Sequence, residues 1–164
     1  FDEAWRLGNT YHTSIGQFGW QVTPLQMVAA YGALANGGRL YTPVVTRGGT
    51  AAYRDIDLDP AILRIVQEGM RMTVNVDGGT ARSLERDDVA IAAKSGTAEI
   101  GAGNAYVNSW AAGYWPYEDP RYSFILMMDQ APRSNALGAT RIMGDVVDWM
   151  STHRPNYLGI EDPS

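Results

Sequence analysis

A chain of 164 residues, 45% of them hydrophobic, has room for one domain with a sizeable core and is cramped for two. Its 13 basic and 18 acidic residues leave a formal charge of −5, and no lysine or arginine run is long enough to track a phosphate backbone, which argues against nucleic acid as a partner. Cysteine is absent, which excludes disulfides and thiol chemistry, and no apolar stretch approaches the ~20 residues of a membrane helix.

Phe1-Asp2-Glu3 is an odd opening for an intact gene product and points to a chain that begins inside a longer sequence. From Gly8 to Gly19 the run GNTYHTSIGQFG is rich in glycine and small polar residues and reads as turns or a surface loop. A marked helix follows. Thr23 can cap it, Pro24 fits its first turn, and Gln26 stands where a reciprocal cap forms. Leu25, Val28, Ala29, Gly32 and Ala35 recur at helical spacing and predict a small-residue packing face, which Gly37-Gly38 terminates. Leu40 to Thr46 reads as a short extended segment, and Arg47 to Asp57 as a surface excursion with little periodicity. Asp55, Asp57 and Asp59 lack the glycine and final glutamate of an EF-hand, so a polar loop is expected there, with Asp59 as a helix cap.

Asp59-Pro60 starts a second helix with Ile62, Leu63, Val66 and Met70 as its apolar stripe and Gly78-Gly79 as the turn after it. Three strands are then predicted: one carrying Lys94, then Tyr106 to Trp115, then Arg121 to Met128, the last two linked by PYEDP. Short links predict an antiparallel meander. The nearly unbroken apolar run from Tyr122 to Met128 predicts cover on both faces, hence helices on both sides. A last helix, about Ala139 to Met150, packs through Ile142, Met143, Val146, Val147, Trp149 and Met150. After His153, proline and glycine end the pattern, giving residues 1–153 as one unit and 154–164 as a tail.

Chemistry concentrates in VAIAAKSGTAEI, residues 89–100, where a cationic, hydroxyl-rich turn of sequence interrupts an apolar strand. Lys94 supplies a point charge, Ser95 and Thr97 supply hydroxyl donors, and Gly96 leaves room for close approach, so that together they could hold a carboxylate. The bland alternative is a glycine-containing strand whose lysine reaches solvent. Lys-[Ser/Thr]-Gly is also a mark of serine enzymes that react with penicillins, where it accompanies Ser-x-x-Lys and Ser-x-Asn. Neither companion occurs here. Ser14 and Ser83 lack a lysine three residues on, so neither reads as a nucleophile. His12 reads as a loop or hydrogen-bonding residue rather than a general base, and His153, beside Arg154-Pro155 after the last helix, as a solvent-facing tail residue. Trp20, Trp110, Trp115 and Trp149 suit either half-buried packing or a groove wall.

The segments GNTYHTSIGQ, VTPLQMVAAYGALANGG, AAKSGTAE, SWAAGYWP and EDPRYSF occur in the order found in penicillin-binding transpeptidases, and the chain resembles the C-terminal half of that domain, in its class B, elongation-type form. The resemblance covers roughly residues 5 through 150. It implies an α/β fold of serine β-lactamase type, an antiparallel sheet flanked by helices, of which this chain is the C-terminal portion. By the same resemblance Lys94 stabilises substrate charge and the proton network around the nucleophile. Ser95 stands where threonine is more usual, Gly96 keeps the strand surface open, and Thr97 binds the terminal carboxylate through its hydroxyl while its N–H serves the oxyanion hole.

What the resemblance implies for the complete protein is a D,D-transpeptidase that cross-links peptidoglycan stem peptides through a serine acyl-enzyme and is trapped by β-lactams. The nucleophile lies on an upstream half of the domain, so the fragment alone is expected to be inactive. No cofactor or metal is implied. The expected setting is the outer, periplasmic side of a bacterial cytoplasmic membrane, reached through an upstream anchor, with membrane proteins of an elongation complex as partners. A serine β-lactamase or penicillin-sensing domain and an inactive interaction module of the same fold remain the alternatives.

Overall fold

The glycine-rich opening is where sequence and structure part. In a computed structural model that describes residues 4–135 and 137–159, Leu7–Ser14 forms a helix, α1, where a loop was expected. None of its residues is buried and no side chain caps it. Two tryptophans flanking it supply the support instead: Trp5 Nε1 donates to Thr10 Oγ1 at 2.9 Å, and Trp20 Nε1 donates to the Thr13 carbonyl at 3.0 Å. Composition inside the window cannot show braces that stand outside it.

The next helix, α2 (Pro24–Ala35), starts as its sequence dictates. Thr23 Oγ1 accepts from Gln26 N while Gln26 Oε1 accepts from Thr23 N at 2.8 Å, with Pro24 in the first turn. Gly37 and Gly38, at φ +86° and +105°, end it. Its packing face is displaced from the expected stripe: Leu25 is exposed and Ala33 is the buried residue. Gly32 lies against Ser123, where a Cβ would meet Ser123 Oγ at 3.4 Å. After the helix, β1 (Arg39–Tyr41) pairs antiparallel with β2 (Tyr53–Asp55), which falls inside the stretch expected to be an irregular excursion. All of β2 is exposed, so it has no buried face to leave a hydrophobic pattern.

Asp59 caps α3 (Pro60–Asn75), accepting from Ala61 N at 2.8 Å. The buried line of α3 runs through Met70 and Val74, with Leu63 partly covered, whereas Ile62 and Val66 of the expected stripe face outward. A turn through Gly79 and Ala81 leads to β3 (Ala92–Ile100), followed by β4 (Tyr106–Trp115) and β5 (Tyr122–Pro132) in the order β3-β4-β5, all antiparallel as the short links require. Helix α4 (Ala139–His153) completes the frame.

Successive strand residues point to opposite faces, and the two faces carry different cores. Ile91, Ala93, Ala111, Trp115 and Phe124 pack with Met143 and Val147 of α4 and with Val74. On the other side Ala92, Tyr114 and Met70 meet Tyr31, Leu34 and Ala35. Both faces are covered, as the apolar β5 predicts. Arg86 fastens α4 to the segment before β3: Nε and Nη2 fork onto the Asp88 carboxylate at 2.6 and 2.7 Å, Nη1 reaches Asp148, and Ser151 Oγ donates to Asp88 at 2.8 Å.

The part of the expected tail that is described turns back onto the sheet. Pro155–Leu158 forms a 3₁₀ turn, Leu158 is buried, and Trp115 Nε1 donates to the Tyr157 carbonyl at 2.8 Å. Residues 160–164 of that tail lie outside the described residues.

Candidate active site

Lys94, the chain's lone lysine, sits on β3, one of the two outer strands of its sheet among the described residues. In an antiparallel ladder, residues alternate between those whose N–H and C=O face the partner strand and those whose groups face away. Which residues of β3 face away is fixed at two points. Thr73 Oγ1 donates to the Ala93 carbonyl at 2.6 Å from the α3 side. Gln17 grips Glu99 at both groups: its Nε2 donates to the Glu99 carbonyl at 2.7 Å, and its Oε1 accepts from the Glu99 N–H at 3.2 Å. Residues of the same parity between them, Ser95 and Thr97, therefore turn their backbone groups to the open edge.

The pleat sends the side chains of the motif to different places. Lys94, Gly96, Ala98 and Ile100 line a cavity of about 820 Å³ on the α2 side of the sheet. Ser95 also borders this cavity, and its hydroxyl donates to Thr80 Oγ1 at 2.7 Å, in the turn after α3. The four motif residues do not converge as side chains around one point; they converge at the strand edge. Lys94 Nζ donates to the Ser95 carbonyl at 2.6 Å, which brings the ammonium group to the same edge as the Thr97 N–H. Gly96 faces Trp110, whose Cβ a glycine-borne Cβ would meet at 3.4 Å, so a larger residue requires the indole to give way. The arrangement is a strand edge that offers alternating N–H and C=O groups, with a cation beside it.

The cavity wall is mainly apolar, with Trp20, Met27, Tyr31, Trp110, Ile125 and Met127 among its residues. Burial pushes the Tyr31 phenol above its ordinary value. Behind the cavity, the Tyr114 hydroxyl is buried without a hydrogen-bond partner; burial first, and Tyr117 second, push its pKa up to about 12.

Other expected positions separate clearly. Ser14 Oγ donates to the Thr10 carbonyl at 2.7 Å inside α1, and Ser83 is an exposed residue of the 3₁₀ turn Arg82–Leu84. His12 is exposed, and His153 stacks on Trp149 at 4.8 Å on the surface. Trp20 and Trp110 are groove residues, Trp115 belongs to the core, and Trp149 is exposed. Asp55 pairs with Arg39 at 4.0 Å. Gln17 and Thr80 are the residues that sequence reading missed. Their partners lie 82 and 15 positions away, and the one local signal was the Ser-Ile-Gly-Gln turn itself.

Comparison with known proteins gives a consistent set of similarities. Residues 2–148 match the family described as the penicillin binding protein transpeptidase domain. The chain is 27% identical over 179 residues to peptidoglycan D,D-transpeptidase MrdA of Haemophilus influenzae, covering 94% of this chain and 27% of that protein. It therefore spans about a quarter of the length of the curated relatives it matches. Among solved structures, penicillin-binding protein 2 of Helicobacter pylori superposes with a TM-score of 0.76 at 28% identity, over 96% of this chain and 28% of that one. A second structure of Helicobacter pylori penicillin-binding protein 2, in complex with MreC, gives 0.71 at 24% identity over 94% of this chain and 29% of that one.

Proposed function

The chain belongs to the penicillin binding protein transpeptidase family, within it to the class B, penicillin-binding protein 2 type, and from that premise we propose that, joined to an upstream half of the same domain, it carries out peptidoglycan D,D-transpeptidation. In this reading residues 1–153 are the C-terminal part of the transpeptidase domain. The upstream half contributes a serine whose Oγ attacks the carbonyl carbon of the penultimate D-alanine of a stem peptide. The bond from that carbon to the nitrogen of the terminal D-alanine breaks, and the serine proton passes to the departing amine. An amine of a neighbouring stem then attacks the ester, forms the cross-link amide and returns a proton to the serine.

The observation that carries this reading is the Lys94 ammonium at an unpaired strand edge beside an apolar cavity. Lys94 stabilises negative charge near the nucleophile and supports its deprotonation. The Thr97 N–H points where an oxyanion donor is needed, and the Thr97 hydroxyl meets the donor's terminal carboxylate. Ser95, held by Thr80, keeps the strand in place, and Gly96 leaves the approach to the edge open. The cavity is the seat of the upstream segment that brings the serine to Lys94. A β-lactam acylates the same serine because its strained amide presents the same carbonyl beside a carboxylate.

Among the described residues no helix is long and apolar enough to cross a membrane. We place the anchor on a segment outside this chain and the catalytic domain on the periplasmic face. The similar protein bound to MreC supports a partner of the elongation complex.

Intact-mass spectrometry with a labelled penicillin tests the reading. The 164-residue chain alone is expected to remain unlabelled, while the complete protein takes up one equivalent. In the complete protein Lys94→Ala is expected to slow acylation by roughly 100-fold or more with unchanged thermal unfolding. Labelling of Ser14 or Ser83, or near-normal acylation by the alanine variant, would overturn the assignment.

A further inference from the structure

The turn Ser14-Ile15-Gly16-Gln17 is explained by neither the core nor the chemistry above, yet every residue with a polar group in it is committed. Ser14 closes onto Thr10, and Gly16 adopts φ +78°, a left-handed conformation that reverses the chain after α1. Gly16 N donates to the Thr13 carbonyl at 3.0 Å and Gln17 N to the His12 carbonyl at 2.9 Å, so the Gln17 backbone is fixed before its side chain extends. That side chain then supplies one donor and one acceptor to Glu99, the two groups that a neighbouring strand would have supplied. The far end is braced as well: Arg133 Nη2 lies 3.0 Å from Glu99 Oε1, and Asn104 Nδ2 donates to Glu99 Oε2 at 2.8 Å.

We propose that Gln17 is a positioning residue that closes the open edge of β3 at Glu99, so that an acyl donor docked on this edge finds backbone partners at Ser95 and Thr97 and must leave the strand before Glu99. The inference rests on the transpeptidase reading and deepens it, since it concerns how the donor peptide is registered. Thr73 on the Ala93 carbonyl marks the other end of the same window. An extended peptide adding to a sheet edge gains affinity from each ladder position it can occupy. With Gln17 in place, the positions available end at the Thr97 N–H, the one whose placement matters most for the oxyanion. Slippage by one repeat toward Ile100 would place the reacting carbonyl away from that donor, and the glutamine amide already fills the slot that slippage needs.

The test compares two acyl donors in the complete protein, a short N-acetylated dipeptide thioester and the same donor lengthened by two residues at its amino end, with wild type and Gln17→Ala. In the wild type, lengthening the donor is expected to change acylation efficiency little. In Gln17→Ala the Glu99 N–H and C=O become available, and the ratio of long to short donor efficiency is expected to rise about five- to tenfold. A role confined to bracing the fold would lower both donors alike, so an unchanged or smaller ratio overturns the proposal. Failure of either donor to acylate the wild type would count against the transpeptidase reading itself. If the variant does not fold, residue-resolved hydrogen exchange on the wild type decides. The Glu99 amide is expected to exchange slowly and the Thr97 amide quickly, with Thr97 slowed after penicillin acylation and Glu99 unchanged. Equal, fast exchange at both positions overturns the proposal.

Discussion

At the scale of single residues, the pleat of β3 matters more than the spelling of its motif. Lys94 and Ser95 are neighbours in sequence and both border the cavity, but the Ser95 hydroxyl turns away to Thr80. What they share is the strand edge, where a side chain and a backbone group of the same residue can serve different ends. Thr97 illustrates this, since it is exposed, its N–H lies on the open edge, and its hydroxyl is a separate group. Thr97→Val in the complete protein keeps the N–H and most of the shape while deleting the hydroxyl. Losing a hydrogen bond to a charged carboxylate costs on the order of 1–3 kcal/mol, so acylation by a carboxylate-bearing donor is expected to fall roughly tenfold or more. A matched donor without the carboxylate is expected to be less sensitive. Stopped-flow acylation rates for the pair, with circular dichroism on both proteins, check this; equal losses with intact folding would reject carboxylate recognition by the hydroxyl.

At the scale of elements, the tie between α4 and the segment before β3 predicts a pH dependence. The Arg86 guanidinium holds the Asp88 carboxyl below its ordinary 3.8 and outweighs partial burial, with Ser151 adding to the effect. Folded Asp88 therefore stays ionised where unfolded Asp88 would bind a proton. Its contribution is complete above the ordinary value and is lost as pH falls through the lower folded one. Asp88→Asn is expected to cost about 1–2 kcal/mol at pH 7, and its gap to wild type is expected to close below the ordinary 3.8. Thermal unfolding of both proteins from neutral to acidic pH measures the gap, and a constant gap would discard the Asp88 linkage. The elements that the sequence made legible are those with local causes. Thr23, Gln26 and Asp59 announce helix starts within three residues of the groups they cap, and the apolar strands β3 to β5 carry their pairing in short links. Elements held by partners outside their own span were illegible: α1 depends on the flanking Trp5 and Trp20, β2 on β1, and the 155–158 turn on Trp115. The site divides in the same way. Lys94 to Thr97 form a local pattern, while the role of Gln17 depends on a partner 82 residues away.

At the scale of the whole molecule, the chain exposes 11029 Å² of surface. A folded monomer of its 17.9 kDa mass would expose about 8,000 Å². Large apolar side chains are among what is exposed, and α3 shows it best: Ile62, Ile65, Val66 and Met72 are 62%, 68%, 40% and 54% exposed along one side of the helix. Such a stripe is expected to be covered by the upstream half in the complete protein. Sedimentation velocity is expected to show the isolated chain associating with concentration, and Ile65→Lys is expected to weaken that association. In the complete protein the same substitution is expected to destabilise by about 1–3 kcal/mol, read by urea unfolding; an unchanged midpoint there would place Ile65 at a permanent surface. The two stoppers on β3 have a further consequence for such a chain. An unpaired edge is the template on which fibrils and domain-swapped dimers grow, and an intruding strand of ordinary length needs roughly five residues of matching edge. Thr73 on the Ala93 carbonyl, Lys94 on the Ser95 carbonyl and Gln17 on both groups of Glu99 leave it little more than the Ser95 N–H and the two outward groups of Thr97. The opening is wide enough for the end of a small peptide and too narrow for another protein's backbone to take hold, so the surface on which we place the chemistry is protected from polymerisation by its own shortness.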